Sequence, residues 1–445
     1  MVFVLDRKGR PLMPTHPARA RQLLRAGRAV VHRLYPFTIR LKDRVGGEVQ
    51  PVRLKLDPGS KVTGIAVVRE GAGQAVVLHL ADLGHKTDIQ RRLDQRRAYR
   101  RGRRSRKLRY RAPRFSNRRR GEGWLPPSLR ARVENILFWV RRYRRLLPVA
   151  AISLELARFD TQAMQNPEIR GREYQHGELA VYEVKEYLLA KFNPTCAYCG
   201  GKSGDPVLEI DHIVPPKRGG SHRVSNLALA CRTCNQEKGG RTAAEFGFPE
   251  VQERAKAPLR DAAAINSTRW ALWRALAATG LPLEVGTGGR TKYNRTRLGL
   301  PKSHALDALC VGTSTPEQVQ LNGARPLTIQ AQGRGQYRRT NVSACGFPRG
   351  YLARRKVVAG FRTGDLVRAI VPQGKYAGRH AGVVLVRQSG YFDLKRHGRR
   401  VVQGIHARHF RLLQRSDGYG YEHSPIPLES PSPGGRGQAA LPPYA

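Results

Sequence analysis

Cys196-Ala-Tyr-Cys199 and Cys231-Arg-Thr-Cys234 are two C-x-x-C pairs. Thiolates at that spacing suit a tetrahedral Cys₄ zinc site. The 31 residues between the pairs exceed the roughly 15 to 20 of an ordinary zinc ribbon. The excess contains Glu209, Asp211, His212 and Asn226, and Asn235 follows the second pair. Hydrolysing a phosphodiester needs a base for water and oxygen ligands for a hard cation. His212 suits the base. Asp211 and Asn235 offer oxygens suited to one Mg²⁺, and Asn226 is placed to hold the His212 imidazole. Zinc would pin the two ends of a segment too small to fold alone. A ribbon that only braces explains the cysteines but not the Asp-His-Asn set inside them. Glu209 and His222 read as surface or supporting residues.

A second constellation is dispersed along the chain. Asp57 ends a hydrophobic strand at a Pro-Gly turn, and Glu155 ends another, Ile-Ser-Leu-Glu. His304 and Asp307 lie three residues apart in Ser-His-Ala-Leu-Asp-Ala, on one helix face. Singly, each has an ordinary reading: a turn residue, a partner for Arg158, a half-buried helix residue. Together, carboxylates at sheet ends converging with a helical His/Asp pair can hold two Mg²⁺ and clamp both oxygens of an in-line displacement. Asp57, Glu155 and Asp307 would be the ligands.

These side chains need positioning elements. Val2–Leu5, Ala29–His32 and Thr38–Lys42 read as strands, with a helix from Pro17 to a stop at Gly27. Arg53–Val68 reads as strand, tight turn, strand, followed by a strand over Ala75–Leu80. Arg130–Leu147 reads as an amphipathic helix leading into a Val149–Glu155 strand. Helices are expected over Glu178–Ala190 and Ala262–Ala278, and from Ser303 to Val311. Beyond about residue 320, Asp365–Val371, Ala381–Arg387, Tyr391–Leu394 and Val401–Gly404 alternate with glycine-rich turns, as in a small barrel. The Pro-, Ser- and Gly-rich tail from Ser424 reads as disordered.

Lys and Arg outnumber Asp and Glu by 81 to 33, a net charge of +48. Such a chain repels itself unless a polyanion neutralises it, and nucleic acid is the default polyanion. No apolar run reaches the about 18 residues of a membrane span. The N-terminus does not read as a signal peptide. A cytoplasmic protein with reduced thiols is expected, and Cys310 and Cys345 read as unpaired. Between Lys86 and Arg120 there are seventeen basic residues and two acids. Arg92, Arg96, Arg100, Arg103 and Lys107 recur at helical spacing there, and propensity alone does not stabilise so basic a helix.

In this order, these segments resemble the IscB proteins, transposon-encoded RNA-guided DNA endonucleases related to the CRISPR type II effectors. Pro11-Leu-Met-Pro14 resembles the motif that names their N-terminal domain. Leu54-Lys-Leu-Asp57-Pro-Gly-Ser-Lys-Val-Thr-Gly, Ile152-Ser-Leu-Glu155 and Ser303-His304-Ala-Leu-Asp307-Ala resemble their three RuvC segments. Arg100-Arg-Gly-Arg-Arg104 lies where their arginine-rich bridge helix is, and the Cys-flanked block has the layout of an HNH nuclease. The resemblance implies a multidomain α/β fold: an RNase H-like RuvC core split in three, an inserted bridge helix, a zinc-bound ββα-metal HNH domain, a small N-terminal α/β domain and a small β-barrel-like C-terminal domain. Expected boundaries are 1–50 for the N-terminal domain, 51–85, 121–165 and 251–315 for the RuvC segments, 86–120 for the bridge helix, 166–250 for HNH, 316–423 for the C-terminal region that reads the target-adjacent motif, and 424–445 for the tail.

The function implied is Mg²⁺-dependent double-strand cleavage, HNH cutting the guide-paired strand and RuvC the displaced one. Partners would be a structured guide RNA and double-stranded DNA, with no membrane and a monomeric protein. Arg92, Arg96, Arg97, Arg100, Arg101, Arg103, Arg104 and Lys107 would hold RNA phosphates through their planar forks or ammonium charge, with Tyr99, Tyr110 and Phe115 stacking on bases or packing on the core. Two other readings compete. A protein-guided HNH endonuclease of homing or restriction type would take its specificity from the C-terminal barrel. A ribosome-associated or RNA-chaperone protein would explain the charge but not the five acidic and histidine positions together.

Overall fold

The protein is described by a computed structural model over residues 1–71, 73–104, 121, 123–156, 180–222, 224–256, 260–333, 340–352, 354–396 and 398–424. Lys107, Tyr110, Phe115, Arg158 and the tail from residue 425 lie outside the described residues.

An eight-stranded mixed sheet organises the chain. Its order is Leu283–Gly286, Val149–Glu155, Val52–Pro58, Val62–Gly71, Gln74–Gly84, Leu327–Ala331 and Tyr419–His423, with Gln318–Gln320 also on the Gln74–Gly84 strand. Val52–Pro58, Val62–Gly71 and Gln74–Gly84 run antiparallel, and Val149–Glu155 and Leu283–Gly286 add in parallel. The period-two pattern divides the Val52–Pro58 strand. Leu54 and Leu56 point into one core, and Arg53, Lys55 and Asp57 point to the other face.

The leucine face is covered by helices Pro127–Leu146 and Arg260–Ala277. The first buries Val133, Ile136, Trp139, Val140, Tyr143 and Leu146, a stripe at helical spacing. Trp139 is fully buried, and truncating it to Ala would cost roughly 3–5 kcal/mol. The opposite face is covered by helix His304–Leu309, whose Ala305, Leu306 and Leu309 pack on Ala66, Val68, Val77 and Leu80.

Two sequence expectations shift here. The strand expected to stop at Leu80 continues to Gly84, because Val62–Gly71 supplies hydrogen-bonding partners along its length. The region expected to form one C-terminal unit from residue 316 instead gives Gln318–Gln320, Leu327–Ala331 and Tyr419–His423 to the central sheet.

The remaining C-terminal strands form an antiparallel sheet ordered Arg399–His406, Tyr391–Arg396, Gly378–Leu385, Leu366–Val371, Phe410–Gln414 around Phe392, Leu394, Val402 and Phe410. Among the described residues its two edge strands do not pair with each other, so the expected barrel is an open sheet. The N-terminal sheet has four strands, including an unexpected edge strand Pro11–Thr15. An edge position tolerates Pro11 and Pro14.

Helix Ile89–Arg104 buries none of its residues. It is held from outside. A Cβ on Gly102 would lie 2.4 Å from the Cys345 carbonyl oxygen, and Gly346 sits against the Tyr99 ring. The helix lies directly on the turn of the Thr340–Val342 and Pro348–Tyr351 hairpin. No helix among the described residues is long and apolar enough to cross a membrane.

Candidate active sites

Asp57 lies at the end of its strand, opposite Gly64, which in turn lies opposite Asp82 on the next strand. Glu155 ends the parallel neighbour, and Asp307 comes from the helix laid across Gly64. The four carboxylates therefore come from three strands and one helix. Asp57 is held well above the ordinary carboxylate range, first by burial and then by the charges of Glu155 and Asp307; Lys302 opposes and Asp82 adds to the effect. Like charges gathered in a desolvated corner favour a cation.

Each ligand candidate is held by neighbours. Thr291 donates its hydroxyl to Glu155 Oε2. Arg295 Nε lies 2.8 Å from Asp307 Oδ1, with both side chains largely buried. Behind the acids, buried Lys55 donates to the Val311 carbonyl and Thr315 hydroxyl, both at 3.0 Å. Glu284 accepts from Ser314 N at 2.8 Å and Thr313 Oγ1 at 2.9 Å. Asn294 donates to the Cys310 and Gly312 carbonyls. The loop leaving the Asp307 helix is thus tied down on three sides.

Asp82 did not stand out in the sequence. Burial raises its pKa, offset by His304 and by the Ala305 backbone N–H. Its Oδ1 is buried without a hydrogen-bond partner. Its signal was an acid inside the apolar run Val76–Leu83.

The second site is built on the antiparallel pair Leu208–His212 and Leu227–Cys231, followed by helix Arg232–Lys238. His212 Nε2 lies 2.9 Å from His222 Nδ1, with the rings edge to face. The His212 pKa is lowered, first by burial and then by His222. Asp211 is buried and accepts from Tyr198 Oη and from Lys238 Nζ at 3.0 Å. Lys238 also donates to the His212 carbonyl at 2.8 Å. Asn235 donates to Glu209 Oε2 at 2.8 Å.

The Asn226 expectation is corrected by its hydrogen bonds. Among the described residues all three go to backbone: it accepts from Val214 N and donates to the carbonyls of Val214 and Ser221. It therefore fixes the loop that presents His222 instead of the His212 ring. His222, expected at the surface, is exposed but touches the candidate base.

The sulfurs of Cys196, Cys199, Cys231 and Cys234 all lie within 4.8 Å of one another. Cys199 and Cys231 Sγ are 3.9 Å apart, close to the edge of roughly 3.8 Å expected for a tetrahedron with Zn–S near 2.3 Å. The donor set and spacing fit Zn²⁺. The cluster joins the Ala180–Phe192 helix end to the strand pair, within a core containing Leu188, Phe192, Ile213 and Leu229.

Two family models match this chain: RRXRR protein over residues 2–177 and HNH endonuclease over residues 196–241. Comparison with curated proteins gave no match. Similar solved structures include the RuvC of T. thermophilus in complex with Holliday junction substrate, at 12% identity over 60% of this chain and 92% of that one, TM-score 0.21. Streptococcus thermophilus Cas9 with the GGAA PAM matches at 14% identity over 57% of this chain and 31% of its own, TM-score 0.19. The Type II-C Cas9 of Actinomyces naeslundii matches at 14% identity over 59% of each chain, TM-score 0.22. This chain thus spans about a third of the first Cas9 and under two thirds of the second. The chain thus carries an RRXRR segment followed by an HNH endonuclease segment.

Proposed function

We propose that this chain cuts both strands of DNA at two separate Mg²⁺-dependent centres and takes its target from a bound guide RNA. The observation that carries the reading is the placement of Asp57, Glu155 and Asp307, from three distant segments, at the ends of two neighbouring parallel strands and on the helix laid across Gly64, where the charges of Glu155 and Asp307 act on Asp57. Two cations about 3.5–4 Å apart need carboxylates spread around them, and these acids approach from two strands and a facing helix. Mg²⁺ bound there would neutralise the phosphate and stabilise the displacement. The residues themselves hold the acids in place: Thr291 on Glu155, Arg295 on Asp307, and His304 beside Asp82.

At the HNH centre, His212 takes the proton from water. Its lowered pKa keeps the ring neutral and able to accept at neutral pH. Asp211 and Asn235 would hold a single Mg²⁺, with Lys238 and Glu209 orienting them. A structural Zn²⁺ on the four cysteines would fix the frame. In this reading HNH cuts the guide-paired strand, the sheet site cuts the displaced strand, and helix Ile89–Arg104 grips RNA through Arg92, Arg96, Arg97, Arg100, Arg101, Arg103 and Arg104. The C-terminal open sheet would contact the target-adjacent motif, and the protein would act as a monomer.

The test is to express the gene with its native flanking DNA, purify the protein at high salt and sequence the RNA that stays bound. One discrete structured species with a variable end is the expected result. No RNA, or random host fragments, would overturn RNA guidance and favour an HNH nuclease guided by its own side chains.

A further inference from the structure

Behind the central sheet lies a cavity of about 790 Å³ between the N-terminal sheet and helix Pro127–Leu146. Its lining includes Arg10, Arg33, Arg40, Arg142, Arg144 and Arg145. Carboxylates neutralise only part of this set. Arg10 pairs with Asp6, and Arg33 and Arg142 share Asp417. Arg40, Arg144 and Arg145 are exposed and pair with no carboxylate among the described residues. Arg141, also in the lining, reaches Glu134 only at 3.8 Å.

His32, in the same lining, has a lowered pKa, first from partial desolvation and then from Arg40 and Arg33. The arrangement is also built: Arg142 lies over the Phe138 and Trp139 rings at 4.5 and 4.7 Å, which fixes one wall. Arg141, Arg144 and Arg145 follow at helical spacing on the last turns of the same helix. A concave surface of planar guanidinium forks is suited to phosphodiester oxygens.

Its place in the fold separates it from the carboxylates. Helix Pro127–Leu146 covers the Leu54/Leu56 face of the sheet, whereas Asp57, Asp82 and the Asp307 helix are on the other. The cavity also touches Leu146, next to the Val149 start of its strand, while Glu155 ends that strand. Six residues of extended chain put about 20 Å between those two ends. Phosphates seated in this cavity are therefore not those at the carboxylates.

We propose that this cavity binds the phosphate backbone of an RNA that is held but not cut, the guide of the reading above, on which this inference rests. It gives the N-terminal sheet a role: closing one wall of an RNA seat whose other wall is the nuclease's own core helix.

The test is the combined Arg40→Ala, Arg144→Ala, Arg145→Ala variant. All three side chains are exposed, and an unchanged melting curve verifies folding. The probes are the RNA that co-purifies with the wild-type protein and a DNA duplex of equal length, each titrated across a salt series. The expected result is an RNA Kd raised at least tenfold, with a log–log salt slope shallower by about two, at roughly 0.7 for each phosphate no longer neutralised. The duplex Kd should move less than twofold. Unchanged RNA affinity, or an equal loss for RNA and duplex, would overturn the proposal while leaving RNA guidance standing. Absence of any co-purifying RNA from the wild type would instead overturn the guidance reading, and this inference with it.

Discussion

A Cβ placed on Gly64 would lie 1.8 Å from the carbonyl oxygen of His304 and 3.1 Å from the Ala308 side chain. The helix carrying His304 and Asp307 rests directly on the backbone between Asp57 and Asp82. Gly64→Ala must push that helix off the sheet. A misplacement of about 1 Å can cost about a hundredfold in rate. Nicking of the displaced strand should fall by about that factor, and nicking of the guide-paired strand should persist. A strand-resolved cleavage assay with both strands labelled reads the two separately, and equal loss on both would refute the local account.

The two centres should be separable by point substitution. Asp57→Ala removes a sheet carboxylate and His212→Ala removes the proposed HNH base. Each is expected to leave a nickase, on opposite strands. Loss of both nicks in either single variant would contradict two independent sites.

Lys238 and Asp211 form an ion pair with side chains 1% and 7% exposed. Removing one partner strands a buried charge, at about 3–5 kcal/mol. Lys238→Met should therefore lower the melting point of the HNH unit, while Arg232→Ala, which breaks an exposed pair with Glu209, should shift it by well under half as much. Circular dichroism melts of the two variants settle the comparison.

His222 supplies the hydrogen-bond partner of His212 Nε2. His222→Ala should slow the guide-paired strand nick about tenfold without altering zinc content, and His222→Gln should recover part of the loss by restoring a hydrogen-bonding side chain. An unaffected rate in His222→Ala would show that the hydrogen bond does not orient the base.

Acid should destabilise the central sheet through His85. This ring is 2% exposed and bridges the Thr63 hydroxyl and the Asn135 amide. Burial, and then Arg132, pull its pKa from 6.5 down to about 4. The unfolded chain takes up the proton near pH 6.5 and the folded chain only near 4. Stability is complete above 6.5 and falls as pH drops towards 4, by about 3 kcal/mol at 1.36 kcal/mol per pH unit. Denaturant melts at pH 7, 5.5 and 4.5 should show the decline, and a His85→Gln variant should flatten it.

What the sequence disclosed follows from where each residue stands. Asp57 and Glu155 were legible because each acid interrupts an apolar strand at a turn, and His304 and Asp307 because they share a helix face. The cysteine spacing stated its own geometry. Asp82 was not legible, because only the register through Gly64 brings it into one row with Asp57, two strands away. Lys238 and Tyr198 were hidden for a related reason: their meeting with Asp211 depends on the fold of the insert. Strands Leu327–Ala331 and Tyr419–His423 left no local sign that they complete the central sheet, since pairing over long sequence separation carries no periodic signal. The Arg-rich helix was legible as a helix, but its support by the hairpin at Cys345 and Gly346 was not.

The distance along the chain between Asp57 and Asp307 also sets an order of assembly. Ribosomes add about 5–20 residues per second, so on the order of ten seconds or more separates the synthesis of these two acids. The cysteine-clamped insert is translated within that interval. The sheet's last strand, Tyr419–His423, arrives later still. A nascent chain therefore has its insert in hand while the sheet-borne centre is still missing a carboxylate and an edge. A partly made polypeptide therefore carries one candidate centre without the other until Tyr419–His423 has been translated.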